Sequence, residues 1–197
     1  MILKAPLVLA SASPRRRSLL EAMGFEPVVH PADVDETVRP DESPKAMVER
    51  LALDKARAVM HDHPDALILG SDTTVVLDGD VLGKPDDAAH ARRMLRRLSG
   101  REHQVITSLA LVHVPTGREV VASEITRVRF DALRDSQIAR YVEGGSPMDK
   151  AGSYGIQDDQ GAFFVRSIEG DYYTVMGLPL NLFYRTAVTT FPDLVDD

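Results

Sequence analysis

The chain contains no cysteine and no tryptophan, which excludes disulfides, thiolate metal sites and a cysteine nucleophile. Any chemistry must come from carboxylates, hydroxyls, amines, guanidinium groups or histidines. No apolar run approaches the ~18 residues that suggest a membrane span. The opening Met1-Ile2-Leu3-Lys4-Ala5-Pro6 leads straight into the apolar Leu7 to Ala10 without the length or cleavage pattern of a signal peptide, so a soluble, cytoplasmic protein is expected. Neither a lysine-containing phosphate loop nor a glycine-rich dinucleotide fingerprint after a strand is present, which removes kinase-like and dehydrogenase readings. Positive charge is in deficit, 23 Lys and Arg against 30 Asp and Glu for a net charge of -7, and this disfavours broad nucleic-acid binding, which relies on cationic surface. An anionic small substrate stays compatible with that balance, because a local cationic cluster outweighs the global field within about one Debye length, ~8 Å at physiological salt.

What is present is a chain of 197 residues, 44% of them hydrophobic, enough to bury a core as one domain or as two closely joined lobes. Leu7 to Leu9 reads as a strand. Ser11-Ala12-Ser13-Pro14 then opens a helix over Arg15 to Met23 that Gly24 stops. Glu26 to His30 suggests a strand. A helix from Ser43-Pro44 to about His61 follows, with an apolar face through Met47, Val48, Leu51, Ala52, Ala58 and Val59. Ala66 to Leu69 predicts a buried strand that ends by delivering Gly70-Ser71-Asp72-Thr73-Thr74, and Asp78-Gly79 predicts a hairpin between Val75 to Leu77 and Val81-Leu82. A helix over Ala88 to Leu98 carries Arg92, Arg93, Arg96 and Arg97. Long strands over Gln104 to Val114 and Glu119 to Phe130 meet at Pro115-Thr116-Gly117. A helix near Asp135 to Val142, strands around Phe163 to Ile168 and Tyr172 to Met176, and a last helix over Leu180 to Phe191 complete the chain, with a frayed acidic tail expected from about residue 192 through Asp196-Asp197. With no repeat and no linker, the expected architecture is one α/β domain over residues 1–197, a mixed sheet in two lobes with a central cleft.

Four segments carry groups suited to chemistry. Ser11-Ala12-Ser13-Pro14-Arg15-Arg16 offers serines, arginines and a positive helix terminus, which fits either a phosphate site or a capped helix with a solvated basic turn. Asp72, past a buried strand, is placed either to bind a divalent metal or accept a proton from water, or to shape a turn. Asp33, Asp35 and Glu36 form an acidic run that can supply a metal ligand or simply be solvated. Lys55, Lys84 and Lys150 are isolated cations of the kind usually found on surfaces, although Lys55 continues the apolar helical face through Leu51 and Ala52. His61-Asp62-His63 fits a polar helix terminus. Carboxylates facing phosphate-binding cations define a phosphoanhydride hydrolase, with Mg²⁺ or Mn²⁺ as the implied cofactor.

Across nearly its whole length the sequence resembles the Maf family of nucleotide pyrophosphatases. The matching blocks are Leu9-Ala10-Ser11-Ala12-Ser13-Pro14-Arg15-Arg16, Val34-Asp35-Glu36, Leu51-Ala52-Leu53-Asp54-Lys55-Ala56, Gly70-Ser71-Asp72-Thr73, Leu82-Gly83-Lys84-Pro85, Leu98-Ser99-Gly100, Asp149-Lys150-Ala151-Gly152-Ser153-Tyr154-Gly155-Ile156-Gln157 and Val175-Met176-Gly177-Leu178-Pro179. The resemblance implies an elongated mixed sheet like that of the inosine triphosphate pyrophosphatases and, often, a homodimer. It implies that Asp72 is the catalytic acceptor, that Glu36 shares the divalent metal with it, that Lys55 and Lys84 hold the triphosphate, and that Ser13, Arg15 and Arg16 belong to the opening phosphate loop. The family branch acting on thymidine and uridine triphosphates carries arginine, threonine and glutamine where this chain has Arg15, Thr73 and Gln157, whereas a sister branch preferring 7-methylguanosine triphosphate differs at all three. An amide such as Gln157 can read the O4 and N3–H edge shared by uracil and thymine. The chain departs from the family pattern at Arg17, which extends the arginine run, and at Asp158-Asp159, where a shorter turn is common. The expected activity is hydrolysis of dTTP and UTP to the monophosphate and pyrophosphate, with modified pyrimidine nucleotides as further candidates. A regulatory nucleotide-binding protein acting in septum formation is the alternative, for which the arginine face of residues 92–97 would serve a partner.

Overall fold

The structure, a computed structural model, describes residues 1–157 and 160–196; Asp158, Asp159 and Asp197 lie outside the described residues. The fold is a mixed α/β fold whose seven-stranded sheet has the order β3-β2-β4-β6-β7-β8, with β5 paired to β4, and a second sheet joins β1 to β9. The chain forms two compact units, one of Met1–Asp72, Thr107–Glu124 and Gly177–Asp197, the other of Thr73–Ile106 and Ile125–Met176.

In the first unit, β2 (Leu7–Leu9) pairs in parallel with β3 (Val28–Val29) on one side and with the start of β4 (Leu67–Leu77) on the other, Val8 standing opposite both Val28 and Ile68. Between β2 and β3 runs α1 (Pro14–Ala22), and between β3 and β4 runs α2 (Pro44–Val59), whose first turn is capped by the Ser43 hydroxyl accepting from the Ala46 N–H at 3.2 Å. The buried face of α2 is Met47, Val48, Leu51, Ala52, Lys55, Ala56 and Val59, so the expected Ala58 is replaced by Ala56. The spacing 48, 51, 52, 55, 56, 59 follows one helical stripe, and Ala58 falls outside it on the exposed side.

Gly70 explains how closely this helix lies on the sheet. A Cβ there would fall 2.0 Å from the Ala52 carbonyl oxygen and 2.9 Å from the Ala56 nitrogen, so only glycine lets the α2 backbone rest on β4. The glycine therefore does not end the strand, as the sequence suggested. β4 continues unbroken through Asp72 to Leu77, sustained by the β-branched Thr73, Thr74, Val75 and Val76, and Asp72 sits inside a strand rather than beyond its end.

The second unit contains the rest of β4, which turns through Asp78 and Gly79, both with positive φ, into β5 (Asp80–Leu82), the hairpin its Asp-Gly pair predicted. It also contains α3 (Ala88–Leu98), α4 (Asp135–Glu143), β8 (Val165–Glu169) and α5 (Tyr172–Met176). The strands β6 (Glu102–His113) and β7 (Arg118–Phe130) contribute to both units. Tyr172 to Met176, expected as a strand, is helical because the Asp171 carboxylate accepts from the Thr174 N–H at 2.6 Å and hydroxyl at 2.9 Å, a side-chain cap that starts a helical turn. The core of this unit gathers Val105, Val128, Ile138, Tyr141, Tyr154 and Phe164 around Phe130. His103 lies inside it, 2% exposed, with its ring 5.0 Å from Phe130 and 5.4 Å from Tyr154.

Back in the first unit, α6 (Leu180–Thr190) matches expectation. The acidic tail does not fray over its described part. Its β9 (Val195–Asp196) pairs antiparallel with β1 (Ile2–Leu3), Lys4 binds Asp196 at 2.8 Å, and Arg118 grips Asp193 through two bonds of 2.8 and 2.6 Å while lying 5.2 Å over the Phe191 ring. Among the described residues no helix is long and apolar enough to cross a membrane.

Two outcomes follow for stability. Gly70→Ala should lower the unfolding free energy by about 3 kcal/mol, the upper end of ordinary overpacking, read from urea denaturation; a loss under about 1 kcal/mol would contradict the close approach. Burial holds the His103 pKa down to about 4 from its ordinary 6.5, so between these values the unfolded chain binds a proton that the native one refuses, and stability falls as pH drops through that window. The full effect is on the order of 3 kcal/mol, and His103→Phe should flatten that part of the stability–pH curve relative to the native chain.

Candidate active site

Side chains two apart on a strand share a face. Gly70 faces α2, so Asp72 does too, and one helical turn beyond the Ala52 contact α2 presents Lys55. Its ammonium is 2.6 Å from Asp72 Oδ1 and 2.6 Å from Glu36 Oε1. Two contacts of that length on one nitrogen bring the two carboxylates within hydrogen-bonding reach of a single point. Lys55 is 8% exposed, and the paired carboxylates supply what a buried ammonium requires. Of the acidic run, Asp33 and Asp35 are exposed, and Asp35 folds back to accept from the Thr37 N–H at 2.9 Å, a bond that with the Thr37 side chain lowers its pKa. The loop following Glu36 is fastened to α2 by Arg50, which donates to both Glu42 oxygens at 2.7 and 2.8 Å and to the Thr37 carbonyl at 3.2 Å.

Arg16 adds a second buried cation. Its Nε donates to the Gly177 carbonyl at 2.8 Å and its Nη1 to Ser11 Oγ at 3.0 Å. Burial lowers its pKa, opposed chiefly by the attraction of Asp72 and to a lesser degree of Glu36, with Arg15 acting in the lowering direction. The same Gly177 carbonyl accepts from the Ser71 hydroxyl at 3.2 Å, and Gly177 has φ 106°, a conformation that glycine adopts without strain. Ser13 occupies the N-cap position of α1 but makes no side-chain cap bond; its N–H donates to Ser11 Oγ at 3.2 Å. Arg15 is half-buried, and Arg17 is spent on an exposed pair with Glu21.

The first unit thus brings together Glu36, Lys55, Asp72 and Arg16, with Ser13 and Arg15 on the helix that carries Arg16. Ser71, Gly177, Arg50 and Glu42 were missed as contributors. Ser71 and Gly177 lie in the matching blocks, but a bond between a side chain and a backbone carbonyl over a hundred residues away leaves no mark in the sequence, and an Arg–Glu pair eight residues apart has no sequence signature either. The other expected site residues belong to the second unit: Thr73 and Gln157 are half-buried and Lys84 is exposed. There the Gly152 N–H donates to the Gly83 carbonyl at 3.1 Å, tying the segment that carries Gln157 to the one that carries Lys84. Lys150 is buried, with Asp149 at 2.8 Å.

Among the described residues no three His, Asp or Glu side chains gather in a metal-binding group, so a cation at Glu36 and Asp72 would have two protein carboxylates. That set suits Mg²⁺ or Mn²⁺, hard ions commonly held by one or two carboxylates together with substrate phosphates and water. Of the His61-Asp62-His63 run, His63 Nε2 lies 2.8 Å from His30 Nδ1. Of the arginines of α3, Arg92 pairs with Glu143, Arg96 with Asp135 and Arg97 with Asp80.

The acidic pair Glu36 and Asp72 closed on the buried Lys55, beside the buried Arg16, makes the candidate active site. Residues 6–189 match the family described as Maf-like protein, and the chain belongs to the Maf family. It is 51% identical over 196 residues to a protein of Salinibacter ruber named dTTP/UTP pyrophosphatase, covering 98% of this chain and 95% of that one. Proteins of the same name from Symbiobacterium thermophilum, 56% identical with 89% of each chain covered, and Moorella thermoacetica, 55% identical with 88% of this chain and 89% of the other covered, are also similar.

Lys55→Met should expose the two carboxylates to each other. Removing one partner of a buried pair costs about 3 kcal/mol, less here because Glu36 is half exposed, and thermal denaturation should show a smaller loss when Asp72→Asn is combined with it. Equal losses in the single and double variants would mean that the carboxylates do not depend on Lys55.

Proposed function

We propose that the chain is a metal-dependent nucleoside triphosphate pyrophosphatase that hydrolyses dTTP and UTP to the monophosphate and pyrophosphate. The observation that carries this reading is the convergence of Glu36 and Asp72 on the Lys55 ammonium, in a member of a family whose similar relatives bear the name dTTP/UTP pyrophosphatase. Asp72 takes the proton of a water whose oxygen adds to the α phosphorus, while the α–β bridging oxygen leaves with pyrophosphate. Lys55, Lys84, Ser13, Arg15 and Arg16 bind the phosphates and stabilise the charge that develops on the leaving group. Glu36 and Asp72 would hold a divalent cation, which when bound would neutralise phosphate charge and order the water. Thr73 and Gln157 select the base, the Gln157 amide donating to O4 and accepting from N3–H. In this reading the two compact units serve one domain, and the enzyme acts in the cytoplasm as a homodimer. For the regulatory alternative, Arg92, Arg96 and Arg97 of α3 already form ion pairs within their own unit.

Purified protein with Mg²⁺ or Mn²⁺ should release pyrophosphate from dTTP and UTP, and Asp72→Asn should lower kcat by about 10³-fold, within the usual range for losing a general base, at unchanged far-UV circular dichroism. Turnover near that of the native chain in this variant would refute the role of Asp72. Chelation with EDTA should stop the reaction and added Mn²⁺ restore it; activity that survives chelation would remove the metal from the scheme.

A further inference from the structure

The second unit holds a buried polar pair that the scheme above does not use. His103 Nε2 and the Tyr154 hydroxyl are 2.8 Å apart, with His103 2% and Tyr154 5% exposed. The pair sits in an aromatic cage, Tyr154 4.7 Å from Phe130 and Tyr141 5.0 Å from Phe164 between ring centres. One residue further on, the Gly155 N–H donates to the Tyr141 hydroxyl at 3.1 Å. The Gly155 carbonyl lies so near Gly161 that a Cβ on Gly161 would come within 2.3 Å of it. Gln157 stands two residues past Gly155, between these fixed points.

Phenylalanine at position 154 would keep the ring in this apolar cage and lose only the hydroxyl. A histidine and a tyrosine offset part of their desolvation there through the bond between them, and among the described residues His103 Nδ1 has no hydrogen-bond partner. What the bond fixes is the direction of Tyr154. The ring planes of His103 and Tyr154 stand at 83°, and the hydroxyl tie sets where the Tyr154 backbone leaves the core. The backbone from Tyr154 to Gln157 therefore starts from a defined position, and Gly152, held to Gly83, fixes the same segment from its other side.

We propose that His103 is a positioning residue for base selection: through Tyr154 it sets the placement of Gln157, so that the amide meets the O4 and N3–H edge of uracil or thymine and rejects the amino group of cytosine. The inference rests on Gln157 reading the base, as argued under the proposed function. A site built to pair a substrate donor and acceptor discriminates strongly only while its own groups are held in place.

Tyr154→Phe keeps the ring and deletes the tie. Compared with the native chain it should narrow the preference for UTP over CTP, as the ratio of kcat/KM, by about fivefold to tenfold, the worth of one well-placed hydrogen bond. The change should appear as a raised KM for UTP with kcat within about twofold, as expected when uniform binding is lost. Gln157→Ala should narrow the same preference, and Tyr154→Phe added to Gln157→Ala should narrow it no further, because contributions through one group are not additive. Backbone ¹⁵N NMR shifts of Tyr154→Phe should change at residues 154–157, and His103→Phe should repeat both results. An equal loss for UTP and CTP, or a full further loss in the Gln157→Ala background, would make the pair a packing feature and overturn the proposal. If Gln157→Ala leaves the preference intact, the base-reading role of Gln157 fails first and the positioning role with it.

Discussion

The site depends on one ammonium group held between two carboxylates, and that arrangement depends on a missing side chain. Gly70 lets the α2 backbone rest on β4 where a methyl group would collide with a carbonyl oxygen. Only with the helix that close does Lys55 reach Asp72, and only with Lys55 in place can Glu36 join it without two negative charges meeting unscreened. The lysine answers the repulsion that otherwise opposes gathering acids at one point.

Around this pair the chain spends ordinary backbone bonds on holding charged side chains still. The Gly177 carbonyl receives both Arg16 and Ser71, and Arg50 ties the loop beyond Glu36 to the same helix that supplies Lys55. A guanidinium in a rigid fork serves that purpose better than an ammonium, since it fixes direction as well as charge. In the second unit the equivalent task falls to neutral groups, with the hydroxyls of Tyr154 and Tyr141 and the imidazole of His103 fixing a loop from within an aromatic core.

Much of this was legible in the residues. Caps at Ser43 and stops at Gly24, the Asp78-Gly79 hairpin and the long strands meeting at Gly117 are set by local chemistry that one sequence displays. So is the oddity of Lys55 on an apolar stripe, which pointed to a partner before any partner was known. The errors came where tertiary contact overrides local signal. Gly70 looked like the end of a strand because its real constraint, the Ala52 carbonyl, comes from a distant helix. Tyr172 to Met176 looked extended because its aromatic and β-branched residues favour strands, while the cap at Asp171 decides otherwise. The choice of Glu36 over Asp33 and Asp35 came from family resemblance; in the structure Asp35 accepts from the Thr37 N–H while Glu36 meets Lys55.

The ladder between β1 and β9 has a consequence of its own. Ile2 stands opposite Asp196 and Leu3 opposite Val195, so the first and last described strands are each other's sole neighbour in that small sheet. A substitution that opens one of these strands therefore also strips the other of its hydrogen-bonding partner.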